Sequence, residues 1–305
     1  MRERAAHVAS AVLGRRAVLY LATAAMSLAA CGAGVARHAA RSAEVARIVY
    51  GPAPSNFAEL RVPDGPGPHP VVVLLHGGYW QVRYGSDYMT PLAEALTREG
   101  FATWNVEYRR LGEDGGGYPG TFRDVAGATD ELRGLASRHR LDLARVTALG
   151  HSAGGQLALW LASPARRRHA PSPDPVPIAR VVAVAPVTDL RRLADDGKGP
   201  VLALVGTPES ARSARYAELS PIELVPIGVP QVVLHGSDDW LLPIAASERY
   251  VAAARARGDD AVLVRLDGLG HLEPADPRSR AWPSLLAAVR GGEPPAAQRP
   301  GDSRS

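Results

Sequence analysis

The stretch Val146-Thr147-Ala148-Leu149-Gly150-His151-Ser152-Ala153-Gly154-Gly155 restricts the fold of this chain more than any other. Residues 145–149 ahead of the turn read as a short buried strand, and residues 156–162 behind it have helical composition. A strand, a tight turn and a helix around G-x-S-x-G put a serine on a sharp, strained corner with its hydroxyl clear of the sheet. Glycines two residues to either side let strand and helix approach without a Cβ clash. The first N–H groups of the helix and the positive end of its dipole then face any anion that forms beside Ser152. The plainer reading is a Gly/Ser-rich connection between a strand and a helix with no chemistry.

The surrounding pattern suits the first reading. Residues 47–50 and 57–62 read as two short strands across a Pro/Gly/Asn turn, an antiparallel opening pair. Residues 71–75 are a continuous apolar run, the signature of a strand covered on both faces. Helix at 91–98, strand at 101–108 and a long amphipathic helix at 120–139 follow, the last with Phe122, Val125, Ala126, Leu132 and Leu135 at helical spacing. After the serine turn come strands at 181–187, 231–234 and 261–266 and helices at 244–257 and 281–289. This alternation predicts an α/β fold with a mostly parallel central sheet and helices on both faces. Two segments interrupt it. Residues 163–178, rich in proline and carrying Arg166-Arg167-Arg168-His169, read as a solvated loop; residues 190–224 read as a partial lid. Both are expected to leave from the carboxyl edge of the sheet, where ligands bind in such folds.

The amino terminus reads differently. Arg2, Arg4, Arg15 and Arg16 precede an apolar run, 17–30, that is short for a membrane span. A basic segment followed by a short apolar one predicts an export signal peptide over residues 1–30. The run ends in Leu28-Ala29-Ala30-Cys31-Gly32, and Cys31 is the only cysteine of the chain. This resembles the lipobox of bacterial lipoproteins, which implies lipidation of Cys31, a flexible tether over 31–45 and anchoring to the bacterial membrane outside the cytoplasm. Arg15-Arg16 leaves the Sec and twin-arginine routes both open. The folded domain is expected over 46–290 and a disordered tail over 291–305. The chain carries 35 Lys+Arg against 31 Asp+Glu. Loss of residues 1–30 would remove four arginines and one glutamate and bring that balance almost to neutral, so the charge gives no reason to expect nucleic acid.

A serine nucleophile needs a base, an acid to orient it and a receiver for the oxyanion. Each has a candidate after a predicted strand. His76-Gly77-Gly78-Tyr79-Trp80 follows 71–75, His235-Gly236-Ser237-Asp238-Asp239-Trp240-Leu241-Leu242-Pro243 follows 231–234, and Gly268-Leu269-Gly270-His271 follows 261–266. Taken in order, HGGYW, GHSAGG, HGSDDWLLP and GLGH resemble the α/β-hydrolase fold, in its hormone-sensitive-lipase-like and kynurenine-formamidase-like esterase group. The resemblance implies Ser152, Asp239 and His271 as catalytic residues, with Asp238 as the alternative acid. It also implies an oxyanion hole from Gly78, Ala153 and Gly77; from their place in the loops at these strand ends, Tyr79, Trp80 and Trp240 are expected to shape a substrate pocket. His76, His151 and His235 are read as structural, and Tyr108-Arg109-Arg110 either positions the site loop or pairs with acids. No HExxH, CxxC or P-loop is present, so no metal or other cofactor is expected.

The expected function is hydrolysis of a small-molecule carboxylic ester, short-acyl or aryl, through an acyl-enzyme. An arylformamidase or a peptidase-like amidase is the alternative within enzymes. A lipoprotein that keeps the fold only to bind a ligand is the alternative outside them.

Overall fold

The computed structural model describes residues 45–292, apart from 170, 198, 207 and 208. The signal peptide, Cys31 and nearly all of the tether and tail expected above lie outside the described residues. Within them an eight-stranded sheet runs in the order β1-β2-β4-β3-β5-β6-β7-β8. Strands β1 (Val45–Val49) and β2 (Phe57–Arg61) pair antiparallel, and β2 pairs antiparallel with β4 (Ala102–Val106). The others, β3 (His69–Leu75), β5 (Leu141–His151), β6 (Arg180–Val184), β7 (Gln231–Gly236) and β8 (Ala261–Leu266), run parallel from β4 to the far edge.

The apolar run of β3 shows why the sheet is sandwiched. Val71, Val73 and Leu75 point into one core and Val72 and Leu74 into the other, following the two-residue period of a strand. Burying each such side chain contributes about 1.5–3 kcal/mol. The first core is closed by α2 (Gly120–His139), α3 (Ala153–Ala162) and α8 (Ala245–Ala256) through Phe122, Leu132, Leu157, Trp160 and Tyr250. The second is closed by α1 (Thr90–Arg98) and α9 (Trp282–Arg290) through Leu92, Leu96, Leu285 and Val289. The expected mostly parallel sheet with helices on both faces is what forms: this is the α/β-hydrolase fold.

Strand register sets the site. Leu75 pairs with Gly150, His151 with Val184, Val184 with Leu234, and Gly236 with Leu266, so the carboxyl ends of β3, β5, β6, β7 and β8 finish at one level. Between β6 and β7 lie α4 (Leu190–Asp195), α5 (Gly199–Val205), α6 (Arg212–Leu219) and α7 (Pro221–Leu224). Leu190, Leu204, Tyr216 and Leu219 of this insertion are buried in the first core.

The segment 163–178 departs from expectation. It joins the end of α3 to the start of β6, so it does not leave from the carboxyl edge. Nor is it wholly solvated. The Arg166 guanidinium is buried in an ion pair with Asp130 and donates to the Val176 carbonyl at 2.6 Å. His169 is buried as well, 2.8 Å from Glu218. Only Arg167 and Arg168 keep the exposure that their charge suggested.

Candidate active site

The turn after β5 is a single residue. β5 ends at His151, α3 starts at Ala153, and Ser152 between them has φ 57° and ψ −118°. A non-glycine residue held there costs about 1–3 kcal/mol and persists only where its surroundings enforce it. The Ser152 N–H donates to the Val184 carbonyl at 2.8 Å, and its own carbonyl accepts from Gly155, Gln156 and Val187. The flanking glycines are obligatory for space. A Cβ on Gly150 would lie 2.0 Å from the Gly154 carbonyl oxygen, and one on Gly154 would lie 2.0 Å from that of Leu75.

Three loops bring partners to this serine. Ser152 Oγ lies 3.0 Å from His271 Nε2, and His271 Nδ1 lies 2.6 Å from Asp239 Oδ2. All three residues are buried. The acid is saturated with donors: Oδ1 accepts from the N–H groups of Leu241 and Leu242 at 2.9 and 2.8 Å, and Oδ2 also faces His235 Nε2 at 3.1 Å. Burial alone would raise the Asp239 pKa, but the bonds from His235, His271 and the Leu242 amide outweigh it and hold the group well below the usual carboxylate range. His235 Nε2 faces this carboxylate and the Leu242 carbonyl, so it carries the proton, and Nδ1 accepts from Ser247 Oγ at 2.7 Å. Asp238 is exposed and accepts from Ser237 Oγ instead. A line of this kind can draw a proton from the hydroxyl to the imidazole and stabilise the resulting cation.

The loop that faces Ser152 is fixed one peptide plane at a time. In the plane between His76 and Gly77, the carbonyl accepts from the Tyr108 hydroxyl at 2.7 Å and the N–H donates to Tyr88 Oη at 2.7 Å. In the next plane, the Gly77 carbonyl accepts from His76 Nδ1 at 2.8 Å. A trans peptide points its N–H opposite to its C=O, so this bond aims the Gly78 N–H away from His76. Among the described residues neither that N–H nor the N–H of Ala153 has a hydrogen-bond acceptor. Gly78 itself sits at φ 98°, a conformation open to glycine. Gly77, expected as a third donor, is corrected here: its N–H is already committed to Tyr88.

His76 is itself held from the other side: its Nε2 lies 2.9 Å from Glu107 Oε1, while Nδ1 serves the Gly77 carbonyl. Glu107 is buried, which acts to raise its pKa, yet His76, the Ser86 amide and Arg110 bring it below the ordinary value. Tyr108 stacks on His76 with ring centroids 4.2 Å apart. Of the two open readings of Tyr108-Arg109-Arg110, both hold: Tyr108 positions the loop, whereas Arg109 pairs with Asp124 and Arg110 with Glu113 and Glu107. Neither Tyr88 nor Glu107 was singled out from sequence. For Glu107 a signal existed, a carboxylate directly behind the apolar strand of residues 102–106; Tyr88 stands in an ordinary polar segment.

The expected pocket aromatics divide. Trp80 is 0 % exposed and belongs to the first core, its Nε1 donating to Gln156 at 3.2 Å, so it lines no pocket. Trp240 is 82 % exposed. Tyr79 is half-buried with φ 52°, and its buried hydroxyl has no partner among the described residues; burial and then Asp239 raise its pKa. An open groove of about 590 Å³ lies between Gln81, Val82 and Arg83, just past this loop, and Gly199, Pro200 and Ala203 of α5.

A family model described as BD-FAE matches residues 60–253. Among curated proteins, the chain is 26% identical over 244 residues to a probable isoprenylcysteine alpha-carbonyl methylesterase of Oryza sativa subsp. japonica, covering 74% of this chain and 57% of that protein. A similarly named protein of Arabidopsis thaliana is 23% identical over 245 residues, covering 74% and 50%. The chain thus spans little more than half the length of the curated relatives it matches. Among solved structures, a truncated carbohydrate esterase from gut microbiota superposes with a TM-score of 0.69 at 16% identity, covering 82% of this chain and 96% of that one. The propionate-bound esterase 2 of the Planctomycetes species Thermogutta terrifontis gives 0.67 at 22% identity, covering 83% and 94%.

Proposed function

The chain belongs to the BD-FAE family, and from that premise we propose that it is a serine esterase acting on small carboxylic esters. The observation that carries the reading is the buried line from Ser152 Oγ through His271 to Asp239, at the strand ends of one sheet, with the Gly77-Gly78 turn packed against Ser152. In this mechanism Ser152 attacks the acyl carbon while His271 takes its proton, and His271 then returns that proton to the leaving alkoxide. Asp239 fixes the tautomer of His271 and stabilises its cation. The N–H groups of Gly78 and Ala153 receive the oxyanion, and losing one such donor costs about 3–4 kcal/mol of transition-state stabilisation. Water then takes the alcohol's place: His271 draws a proton from it as it attacks the acyl carbon and passes that proton to Ser152 Oγ as the carboxylic acid leaves.

We further propose that the preferred acyl group is short. Tyr79 directly follows Gly78 in the loop, and the insertion 190–224 carries Arg191, Arg192, Asp195 and Asp196 while its Leu190, Leu204, Tyr216 and Leu219 are buried in the core. The propionate bound in the Thermogutta esterase structure is an acid of this size. The test is labelling with a serine-reactive phosphonate, then hydrolysis of acetyl, butyryl, octanoyl and palmitoyl esters of one leaving group alongside an aryl formamide. Ser152→Ala should abolish both labelling and turnover with the fold intact. Retained turnover in that variant would overturn the mechanism. A maximum at octanoyl or longer would overturn the short-acyl preference, and a formamide rate above every ester would make the protein an arylformamidase.

The lipid anchor is proposed on sequence alone, from Cys31 behind Leu28-Ala29-Ala30. Among the described residues no helix is long and apolar enough to cross a membrane. Two or more acyl chains anchor stably, each buried CH₂ contributing about 0.8 kcal/mol. Cys31→Ser should therefore leave the membrane fraction; fractionation like wild type would refute the anchor.

A further inference from the structure

Tyr88 and His151 are polar, close to the reacting groups, and have no part in the mechanism above. Their hydrogen bonds have a determined direction. His151 Nε2 lies 2.9 Å from the His271 carbonyl oxygen, which can only accept, so Nε2 carries the proton. Burial first, and the neighbouring His271 second, push the His151 pKa down to about 4, so the ring is neutral near pH 7 and Nδ1 is bare. The Tyr88 hydroxyl, 2.8 Å from that nitrogen, must therefore donate to it. Its oxygen is left to accept the Gly77 N–H at 2.7 Å. One unbroken series results: Gly77 N–H to Tyr88, Tyr88 O–H to His151, His151 N–H to the backbone of His271.

We propose that Tyr88 and His151 are positioning residues that lock the oxyanion loop to the loop carrying the catalytic base, so that acceptor and base keep a fixed separation. The proposal rests on the roles given above to Ser152, His271 and Gly78. Its ends are the two parts that must agree during acyl transfer. At one end, Gly77 N–H fixes the peptide plane immediately before the one that presents Gly78. At the other, the His271 carbonyl belongs to the residue whose side chain takes the serine proton. His151, 2 % exposed, is chained directly to Ser152, so the serine is indexed to the same frame. Tyr88 is suited to the task. Its residue is 38 % exposed, yet its hydroxyl reaches inward between two buried partners. Its segment is anchored from β4 and the residue after it: the Ser86 N–H donates to Glu107 Oε2 at 2.8 Å, and Asn105 Nδ2 donates to the Ser86 carbonyl at 2.9 Å. The phenol therefore enters as a fixed strut rather than a mobile surface ring. Preorganised donors stabilise a transition state because no reorganisation is needed as charge develops, and small misplacements cost rate with little effect on ground-state binding.

Tyr88→Phe keeps the ring and removes the hydroxyl, and His151→Gln keeps a donor for the His271 carbonyl but offers Tyr88 no ring acceptor. Active sites are first counted by phosphonate titration, so that misfolded protein does not enter the rate. For Tyr88→Phe, kcat per titrated site should fall about 10–100-fold with KM within about threefold, less than the loss of a whole oxyanion donor. The Ki of a boronic acid, which binds as a tetrahedral adduct of Ser152, should rise by a similar factor. Because the two residues act as a unit, the double variant should lose about as much as the worse single variant. Wild-type kcat per site in Tyr88→Phe, an equal rise in KM in place of the kcat loss, or fully additive losses would each overturn the relay. Ser152→Ala separates the layers: if it is inactive while Tyr88→Phe turns over normally, the relay fails and the serine mechanism stands. If Ser152→Ala remains active, the mechanism itself fails.

Discussion

Ser152, Asp239 and His271 each follow the carboxyl end of a parallel strand, and the register of β5, β7 and β8 is enough to bring them together. Residues 76–80 also follow a parallel strand, β3, but their geometry comes from elsewhere. Their peptide groups are held by Tyr88 and Tyr108 and by His76, which in turn needs Glu107 from the end of the neighbouring strand. The first region is thus placed by backbone hydrogen bonding. The second is placed by a network of buried polar side chains, in which every member must be satisfied. Substitutions should divide accordingly. In the serine–base–acid line they should remove chemistry and spare the fold, while around the loop they should cost stability or alignment.

The sharpest break of this division is at the two adjacent acids. Asp239→Asn replaces a carboxylate that accepts from His271 and favours the wrong tautomer of that imidazole, so kcat should fall by about 10³–10⁴-fold. Asp238→Asn alters an exposed residue that only accepts from Ser237, and should change kcat less than about twofold, in line with surface substitutions away from special features. Steady-state kinetics of the two variants decide it. Equal losses would mean that the donors around Asp239 act on structure and not on the base.

A second test lies in the loop's own aromatics. Trp80→Ala should destabilise the protein by about 3–5 kcal/mol, because a fully buried indole leaves a cavity and Gln156 loses a partner. Tyr79→Phe removes a hydroxyl that has no partner among the described residues, and should leave stability within about 0.5 kcal/mol. Denaturant midpoints with unchanged slopes would measure both. A Trp80→Ala variant of near-native stability would return Trp80 to the pocket where the sequence had suggested it.

That case shows what patterning can and cannot convey. The strand at 71–75 and the helix Gly120–His139 were legible because their burial follows a fixed period along the chain. β5 extends back to Leu141, four residues before its expected start, because Leu141 and Asp142 pair with His69 and Pro70 across a register shift; Asp142 and Arg145 hid that extension. β4 stops at Val106, short of the expected 108, since Glu107 and Tyr108 turn to hold His76. Arg166 looked solvated because its partner, Asp130, lies 36 residues away in sequence. Motifs name the groups at the strand ends. They carry no information on which distant side chain holds a peptide plane, so Tyr88 was invisible and Gly77 was given a role that its N–H cannot fill.

The smallest expected effect joins the two regions, since His151 bonds both Tyr88 and the His271 backbone. Its pKa, ordinarily near 6.5, falls to about 4 in the folded protein because burial and the adjacent His271 oppose a second proton, against support from the His271 carbonyl and Asp239. Between those two values the unfolded chain binds more protons at this residue than the folded one. The sign follows: this contribution to stability is fully present above about pH 6.5 and is lost as the pH falls toward 4, with a slope of up to about 1.4 kcal/mol per pH unit. Asp239, also held low, adds its own loss only at more acidic pH. His151→Asn has no ring to protonate, so it should be less stable than wild type at pH 7 and lose less between pH 6.5 and 4.5. Denaturant midpoints of both proteins across that range provide the measurement. Parallel curves would show that His151 takes no proton on unfolding, and that the junction between the two regions is not the buried neutral imidazole described here.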